Sequence, residues 1–283
     1  MIYYGAHAFV WIGDWNTQSG NMAIQAAAEA GAAFIEIPLL EPENFNAPSH
    51  KRQLEEAGIF ATCSLILPKH AHMPEQPKAA IAFLSSVFEK MDAINARYLC
   101  GCIAYHLGYL TGFAPTRAER AVVEETLGTV AELARGYGIG LALEACNRYE
   151  TYLYNTLADA RATVQAVGAS NLKLHADTYH MNIEEEGFYK PIMAAADVLN
   201  YVHMSESHRG MVGTGTVNWD EVFAALRDSS FSGYLSLESF AAINPALAAA
   251  TCLWNPPKHS GPELAAGGMA FLRQKAAQYG LTP

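Results

Sequence analysis

Short apolar segments alternate with amphipathic segments along the whole chain. The apolar segments are rich in aliphatic and aromatic residues, and each is followed by an Ala-rich or amphipathic segment, an alternation typical of strands and helices. Eight strands are predicted, at residues 3–10, 34–39, 59–67, 97–103, 139–145, 172–177, 198–204 and 233–239. Helices are predicted after them, at residues 21–30, 48–57, 77–94, 116–137, 157–167, 189–195, 219–227 and 263–279.

The number of strand–helix units decides the fold class. Apolar strands that alternate with helices indicate a parallel sheet whose outer face is covered by helices. Eight units in one uninterrupted chain of 283 residues favour a closed (β/α)₈ TIM barrel over an open doubly wound sheet. We therefore predict an α/β fold with a single barrel domain at residues 1–283.

Composition excludes several kinds of partner. Hydrophobic residues make up 51% of the chain, enough for a large core. The apolar runs stay far below the ~20 residues that cross a bilayer. The N-terminal residues lack the basic start and cleavage pattern of a signal peptide, so we expect a cytoplasmic protein without a membrane partner. A net charge of −10 repels phosphate backbones, so we expect no nucleic acid partner.

Several common cofactor-binding and metal-binding motifs are missing from the sequence. The five cysteines are odd in number and form no Cys-x-x-Cys pair, so we interpret them as reduced, mostly buried residues. No Gly-x-Ser-x-Gly elbow and no Walker A loop is present. Residues 213–218 lack the final glycine of a dinucleotide fingerprint. A nicotinamide or ATP cofactor is therefore not expected.

Four consecutive strands end in side chains that bind metals or carry protons. The fifth to eighth predicted strands deliver, at their C-terminal ends, Glu144, Asp177, His203 and Glu238. These residues are spaced 26 to 35 residues apart, which is about one strand–helix unit. Because the reactive groups of such barrels lie at the C-terminal ends of the strands, we expect the four side chains to meet.

A divalent cation accounts for this combination of side chains. Three neighbouring carboxylates without a cation would repel one another, and their pKa values would rise. Each residue alone has an ordinary explanation, as a solvated carboxylate or a hydrogen-bonded core histidine. Oxygen-rich ligands with one imidazole suit Mn²⁺, Mg²⁺ or Co²⁺ better than a thiolate zinc site does. We predict one divalent metal ion, Mn²⁺ in preference to Co²⁺ or Mg²⁺, bound by Glu144, Asp177, His203 and Glu238.

Segments around these residues carry a resemblance to a known family. They are residues 144–151 (EACNRYET), 177–185 (DTYHMNIEE), 203–210 (HMSESHRG) and 237–240 (LESF). These segments resemble the ketose 3-epimerases, the group of D-tagatose, D-allulose and L-ribulose 3-epimerases within the xylose isomerase-like barrels. Residues 213–219 also resemble the loop that enters the eighth unit of these enzymes. The resemblance covers residues 139–240, and the first half agrees mainly in architecture.

The resemblance implies an activity and a set of site residues. The reaction would be epimerisation at C3 of free ketoses, of the D-tagatose, D-fructose/D-allulose and L-ribulose/L-xylulose class. All four strand-end residues would be metal ligands, and Glu144 and Glu238 would also exchange the proton through an enediolate. Glu150, His180 and Arg209 would contact the substrate. The resemblance also implies a homodimer or homotetramer.

The residues alone leave other roles open for the three substrate contacts. His180 would otherwise cap the segment that follows it. Arg209 would otherwise pair with Glu206, and Glu150 with Arg148. Aromatic residues near other strand ends would either pack in the core or form an apolar wall against the sugar carbons. They are Phe9, Trp11, Tyr105, Tyr109 and Phe240.

Three other functions remain alternatives. An aldose–ketose isomerase, such as a hydroxypyruvate-isomerase-like enzyme, would need the same metal but would move hydrogen between C1 and C2. A metal-dependent phosphodiesterase would need more histidine ligands and a basic groove, which the net charge of −10 disfavours. A non-catalytic sugar-binding protein would not exchange carbon-bound protons. Residues 147–150 and 180–185 favour the epimerase, whereas Val212, Asn255 and residues 101–110 depart from the family pattern and leave the preferred ketose open.

Overall fold

A computed structural model describes residues 1–282 of the chain. Its strands are parallel and close into a barrel in chain order, so the predicted fold class is confirmed. The strands are β1 (Ile2–His7), β2 (Phe34–Pro38), β3 (Phe60–Ile66), β4 (Tyr98–Cys102), β5 (Gly140–Glu144), β6 (Leu172–Asp177), β7 (Leu199–Ser205) and β8 (Gly233–Glu238). The barrel closes where β1 pairs with β8, with Tyr4 opposite Leu235.

Helices connect the strands and follow the last one. They are α1 (Thr17–Glu29), α2 (Ala47–Ala57), α3 (Pro77–Ala93), α4 (Arg117–Gly136), α5 (Leu157–Val167), α6 (Thr178–Glu184), α7 (Tyr189–Ala195), α8 (Trp219–Asp228), α9 (Pro245–Thr251) and α10 (Gly261–Tyr279). Across residues 1–282, no helix has the length and apolar character needed to span a bilayer.

Local capping sets where several helices begin. At α4, Thr116 and Glu119 form a capping box, in which each side chain accepts a hydrogen bond from the other residue's backbone N–H. At α1, the side chain of Asn16 accepts hydrogen bonds from two N–H groups of the first turn. This cap starts α1 at Thr17, earlier than the predicted start at residue 21.

Three rim segments differ from the prediction. The sequence pattern does not predict α6, which starts directly after β6 because the Asp177 carboxylate accepts the N–H of Tyr179 at 2.7 Å. It also does not predict α9, which is capped by Asn244 through the N–H of Leu247. The first strand is shorter than predicted, since residues 8–10 form a 3₁₀ turn. All three lie where strands give way to loops.

An aromatic layer fills the barrel interior below the C-terminal rim. Phe34, Tyr98 and Tyr201 form this layer, with Tyr3 and Tyr234 packed against it. The ring of Tyr201 lies 5.8 Å from that of Tyr98 and 5.4 Å from that of Tyr234, measured between centroids. The layer makes the interior a packed core, as in other barrels of this kind. The polar side chains at the C-terminal rim therefore lie above a packed aromatic layer.

Candidate active site

The four strand-end residues come together at the C-terminal rim. Asp177 and His203 are register partners on β6 and β7. Nδ1 of His203 lies 3.8 Å from Oδ2 of Asp177 and 3.5 Å from Oε1 of Glu238. Glu144 joins them from β5, and it, Asp177 and His203 each offer an atom within 4.8 Å of the other two. None of the four residues is more than 7% exposed.

This arrangement fits a divalent cation. Nδ1 of His203 is buried and faces two carboxylates, yet it has no hydrogen-bond partner in the described part of the chain. A buried polar atom without a partner costs free energy unless a ligand or ion completes it. Three carboxylates and one imidazole also supply the ligand types that Mn²⁺, Mg²⁺ and Co²⁺ accept. The donor set and its geometry therefore match a metal-binding site.

A carboxylate inside the barrel orients His203. Both oxygens of Glu36, in the middle of β2, lie 2.9 Å from Nε2 of His203. Glu36 is fully buried and also accepts the hydroxyl hydrogen of Tyr201 at 2.7 Å. Burial alone would raise the pKa of Glu36, but His203 and His7 hold it well below its usual value. The ionised Glu36 therefore keeps a proton on Nε2 and turns Nδ1 toward the other carboxylates.

Arg209 lies against two of the predicted metal ligands. Its Nη1 donates to Oδ2 of Asp177 at 2.8 Å and also to Glu238. Its Nη2 lies 3.2 Å from Nε2 of His180. The guanidinium carbon lies 3.8 Å from the ring centroid of Tyr179, a cation–π contact. Arg209 therefore holds a buried positive charge among the carboxylates.

Glu206 does not pair with Arg209. Its fully buried carboxylate instead accepts hydrogen bonds from the backbone of Ser207, Gly213 and Val217 and from the indole of Trp219. These bonds order the loop that carries Arg209, whose backbone adopts a left-handed conformation with a φ of 59°. The alternative pairing considered from the sequence is therefore wrong.

Asn147 connects two of the predicted substrate contacts. Its side-chain amide donates to Oε1 of Glu150 at 2.8 Å, and its backbone N–H donates to Nδ1 of His180 at 3.1 Å. Arg148 pairs with Glu184 at 2.8 Å, so the alternative pairing of Arg148 with Glu150 is wrong. Glu150 and His180 both line the cavity at the rim.

Burial shifts the pKa values of the two predicted proton carriers in the same direction. It raises the pKa of Glu144 well above its usual value, and repulsion from Asp177 and Glu238 adds to the effect. Burial also raises the pKa of Glu238 to about 7, although Arg209 opposes this shift. Burial would raise the pKa of Asp177 too, but Arg209 and His180 hold it well below its usual value. The site therefore combines an ionised Asp177 with two carboxyl groups that bind protons more readily.

A cavity of about 430 Å³ opens beside these residues. Phe9 and Phe240 form part of its apolar lining, with ring centroids 6.0 Å apart. Tyr105 is buried and donates its hydroxyl hydrogen to the backbone oxygen of Glu144 at 2.9 Å. Tyr109 packs on His72 with ring centroids 4.5 Å apart. Of the predicted aromatic wall, Phe9 and Phe240 are thus the members that line the cavity.

The cavity carries little positive charge. Among its described lining residues, Arg209 is the only Lys or Arg, and it is already paired with two carboxylates. Carboxylates also line it, namely Asp14, Glu41, Glu144, Glu150 and Glu238. A phosphate group would need several free cationic or N–H donors here. The cavity therefore suits an uncharged polar molecule better than a phosphoester.

Some residues of the site were not predicted from the sequence. Glu36 stands in an apolar strand segment, Phe-Ile-Glu-Ile-Pro, and a charged residue in a buried strand was the available signal. His7, at the end of β1, also lines the cavity, with Nε2 3.6 Å from Oε1 of Glu36. Burial lowers the pKa of His7 to about 4. Asn147 lay within a recognised motif but was assigned no role.

The chain is similar to known sugar epimerases over nearly its whole length. It matches the family model of the xylose isomerase-like TIM barrel at residues 24–275. It is 38% identical to an L-ribulose 3-epimerase of Methylomonas sp. (strain DH-1), covering 96% of this chain and 97% of that one. It is 35% identical to a ketose 3-epimerase of Arthrobacter globiformis, covering 96% of each.

A solved structure agrees with this similarity. The crystal structure of a D-allulose 3-epimerase from Methylomonas sp. in complex with D-allulose superimposes with a TM-score of 0.93, at 36% identity and 97% coverage of each chain. Fold and site together define a TIM-barrel enzyme with a buried carboxylate and imidazole cluster at its C-terminal rim. The chain belongs to the xylose isomerase-like TIM barrel family, in its ketose 3-epimerase group, and is an isomerase.

Proposed function

We propose that this enzyme inverts the configuration at C3 of a free ketose, with Glu144 and Glu238 as the two proton carriers. The observation that carries the proposal is the pairing of two buried carboxyl groups, from β5 and β8, around Asp177 and His203. Epimerisation at a carbon beside a carbonyl needs one group to remove a proton and another to deliver one to the opposite face. Relatives named as ketose and L-ribulose 3-epimerases support this reaction.

The protons would move between the substrate and the two glutamates. One glutamate, as a carboxylate, removes the C3 proton and leaves a planar enediolate. The other, as a carboxylic acid, donates its proton to the opposite face of C3, so that the two have exchanged protonation states. Burial raises the pKa of both Glu144 and Glu238, so each carboxyl group takes up a proton more readily than an exposed one does.

The proposed metal ligands are Glu144, Asp177, His203 and Glu238. A divalent cation bound there would supply Lewis-acid stabilisation of negative charge on the substrate oxygens. We propose Mn²⁺, with Co²⁺ or Mg²⁺ as alternatives, because the donors are three carboxylates and one imidazole. Glu36 would fix the orientation of His203 for this role through the two contacts at 2.9 Å.

The proposed substrate contacts are Glu150, His180 and Arg209, which line the same cavity as Phe9. Arg209 and His180 would donate to the oxygens that gain charge beside C3. Glu150, held by Asn147 at 2.8 Å, would accept a hydroxyl hydrogen from the sugar. Phe9 would pack against the sugar carbons.

The charge of the cavity supports a free sugar as substrate. Arg209 is its one Lys or Arg among the residues described, and its guanidinium is already bonded to Asp177 and Glu238. A sugar phosphate would therefore find no free cationic side chain to neutralise it. The shortage of free positive charge in the cavity also disfavours the phosphodiesterase alternative.

Proton NMR of the purified enzyme with Mn²⁺ in D₂O tests the proposal. D-fructose, D-tagatose and L-ribulose would be offered separately, with D-allulose added because a similar structure contains it. We expect deuterium at C3 together with the C3 epimer, and the relative rates would rank the substrates. A Glu144→Gln variant serves as the catalytic control.

Two results would contradict the proposal. Deuterium at C1, or formation of an aldose, would move the assignment to the aldose–ketose isomerases. Binding of a ketose without exchange of any carbon-bound proton would support the sugar-binding alternative.

A further inference from the structure

Two buried thiols lie beside Glu144 at the edge of the cavity. Cys102 ends β4, and Cys146 lies just after β5. Their sulfur atoms are 3.6 Å apart, and Sγ of Cys102 is 3.9 Å from Oε2 of Glu144. The two cysteines are only 2% and 1% exposed, yet both line the cavity. The proposed reaction uses neither of them.

We propose that Cys102, Cys146 and Glu144 form a binding site for a thiophilic cation of the Zn²⁺ or Cd²⁺ kind. Each residue offers a ligand atom within 4.8 Å of those of the other two. Thiolates select such soft cations, whereas Mn²⁺ and Mg²⁺ prefer oxygen ligands. This thiol site therefore differs in metal preference from the carboxylate and imidazole set, with which it shares Glu144.

The sulfur separation suits a shared cation. The sulfurs of a disulfide are about 2.05 Å apart, so these thiols would have to approach by roughly 1.5 Å to form one. A tetrahedral zinc ion with Zn–S bonds of about 2.3 Å places two thiolate sulfurs about 3.8 Å apart. The observed 3.6 Å between Cys102 and Cys146 is close to that separation. Binding of one cation would release the proton of each thiol to solvent.

The backbone around Cys146 is held in place before any ion binds. Its N–H donates to the backbone oxygen of Tyr154 at 3.1 Å, and its own backbone oxygen accepts from the side chain of Asn155 at 2.9 Å. Cys102 is fixed by its place at the end of a barrel strand. Because both cysteines lie on ordered backbone, little conformational entropy is lost on binding.

Occupation of the thiol site would withdraw Glu144 from proton transfer. This consequence rests on the proposed function, whereas the thiol site itself does not. We expect a thiophilic cation to inhibit turnover even when Mn²⁺ is in excess, because Mn²⁺ competes poorly for sulfur.

A Cd²⁺ titration of the reduced, metal-free full-length protein tests the thiol site. Thiolate-to-cadmium charge transfer absorbs in the ultraviolet, and binding to oxygen ligands does not produce this band. We expect the band to saturate at about one Cd²⁺ per chain. With Cd²⁺ bound, mass spectrometry after maleimide treatment under partial denaturation should find Cys102 and Cys146 protected and Cys252 modified, since Cys252 is exposed.

Serine variants locate the site. Cys102→Ser and Cys146→Ser should each weaken Cd²⁺ binding by at least the roughly 10- to 100-fold that loss of even an outer partner costs. The control Cys252→Ser should bind as the native protein does. Circular dichroism confirms folding, and the maleimide result on the native protein decides the case if a variant fails to fold. An absorbance band that survives in both variants, or unprotected Cys102 and Cys146, would overturn the proposal.

Enzyme kinetics test separately whether Cd²⁺ bound at the thiol site inhibits turnover. In the C3 exchange assay with excess Mn²⁺, Cd²⁺ should inhibit the native protein and inhibit Cys146→Ser far less. Equal inhibition of both would show that Cd²⁺ acts at the carboxylate and imidazole set, which would overturn the inhibitory role. If the native protein shows no C3 exchange, the proposed function fails, and the absorbance titration still decides whether the thiol site exists.

Discussion

Nε2 of His203 on β7 lies 2.9 Å from both carboxylate oxygens of Glu36 on β2, inside the barrel. This contact fixes the rotation of the imidazole and turns Nδ1 toward Asp177 and Glu238. A strand alone places the Cα atom of a histidine but not the direction of its ring. The geometry of the candidate metal site therefore depends on a residue that is not one of its ligands.

Glu36→Gln should weaken Mn²⁺ binding by about 10- to 100-fold, because the neutral amide no longer stabilises the Nε2 proton of His203. Electron paramagnetic resonance of free Mn²⁺ during a titration measures the dissociation constant without any assay of turnover. Glu43→Gln is the matched control, since Glu43 is exposed on the loop after the same strand. Equal Mn²⁺ affinity in native protein and Glu36→Gln would show that Glu36 does not support the site.

Glu144→Gln and Glu238→Gln should each lower the rate of C3 deuterium exchange by about 100- to 10,000-fold, since each removes a proton carrier. The barrel should still fold, as judged by circular dichroism and the thermal midpoint. Each variant is assayed at Mn²⁺ concentrations that saturate it, because both residues are also proposed ligands. A variant that keeps a near-native rate with metal bound would disprove the two-glutamate scheme.

Arg209→Lys should lower kcat/KM by about 10- to 100-fold. The guanidinium contacts Asp177, Glu238 and His180 at once, and a lysine ammonium cannot reproduce that planar arrangement. Loss of one charge-assisted hydrogen bond costs about 1.5–3 kcal/mol, which corresponds to this range of rates. Steady-state kinetics at saturating Mn²⁺ measure the effect, and values of kcat and KM within error of the native ones would refute it.

His50 lies outside the candidate active site. We expect it to make the stability of the barrel depend on pH. Its Nε2 accepts the indole N–H of Trp15 at 3.3 Å, and its Nδ1 lies 3.0 Å from Oδ1 of Asn21. Both contacts are satisfied by a neutral ring. Burial lowers the pKa of His50 to about 4, whereas the unfolded chain has a value of about 6.5. Below about pH 6.5 the unfolded chain binds the proton first, so the free energy of unfolding falls as the pH drops toward 4.

Urea unfolding at about pH 7 and about pH 5 measures this effect. The loss of unfolding free energy between the two pH values should be smaller in His50→Gln than in the native protein, by roughly 2 kcal/mol. The comparison cancels the contribution of the other buried histidines, which both proteins share. Identical losses would show that His50 does not titrate as its surroundings imply.

The fold and the meeting of four strand-end side chains at one rim could be predicted, because both depend on local pattern. Strand and helix periodicity repeats through the chain, and the ends of parallel strands share one rim. The role of Glu36 was not predicted because its partner, His203, is 167 residues away in the sequence. No local pattern indicates that the two residues meet. The hydrogen-bond partners of Arg209 were not predicted because they depend on how the loop that carries Arg209 folds around Glu206. The short helix α6 was not predicted because its N-cap, Asp177, is also the last residue of a strand.

Contacts between distant parts of the chain also bear on how the molecule assembles. The proposed ligands come from β5 to β8, but the bond that orients His203 comes from β2, and the barrel closes when Ile2 pairs with Gly233. A separate second half would have open sheet edges and a freely rotating imidazole. Pairing across so much of the chain forms slowly during folding. Tight uptake of a cation during refolding would therefore report closure of the ring of strands, not the formation of its individual units.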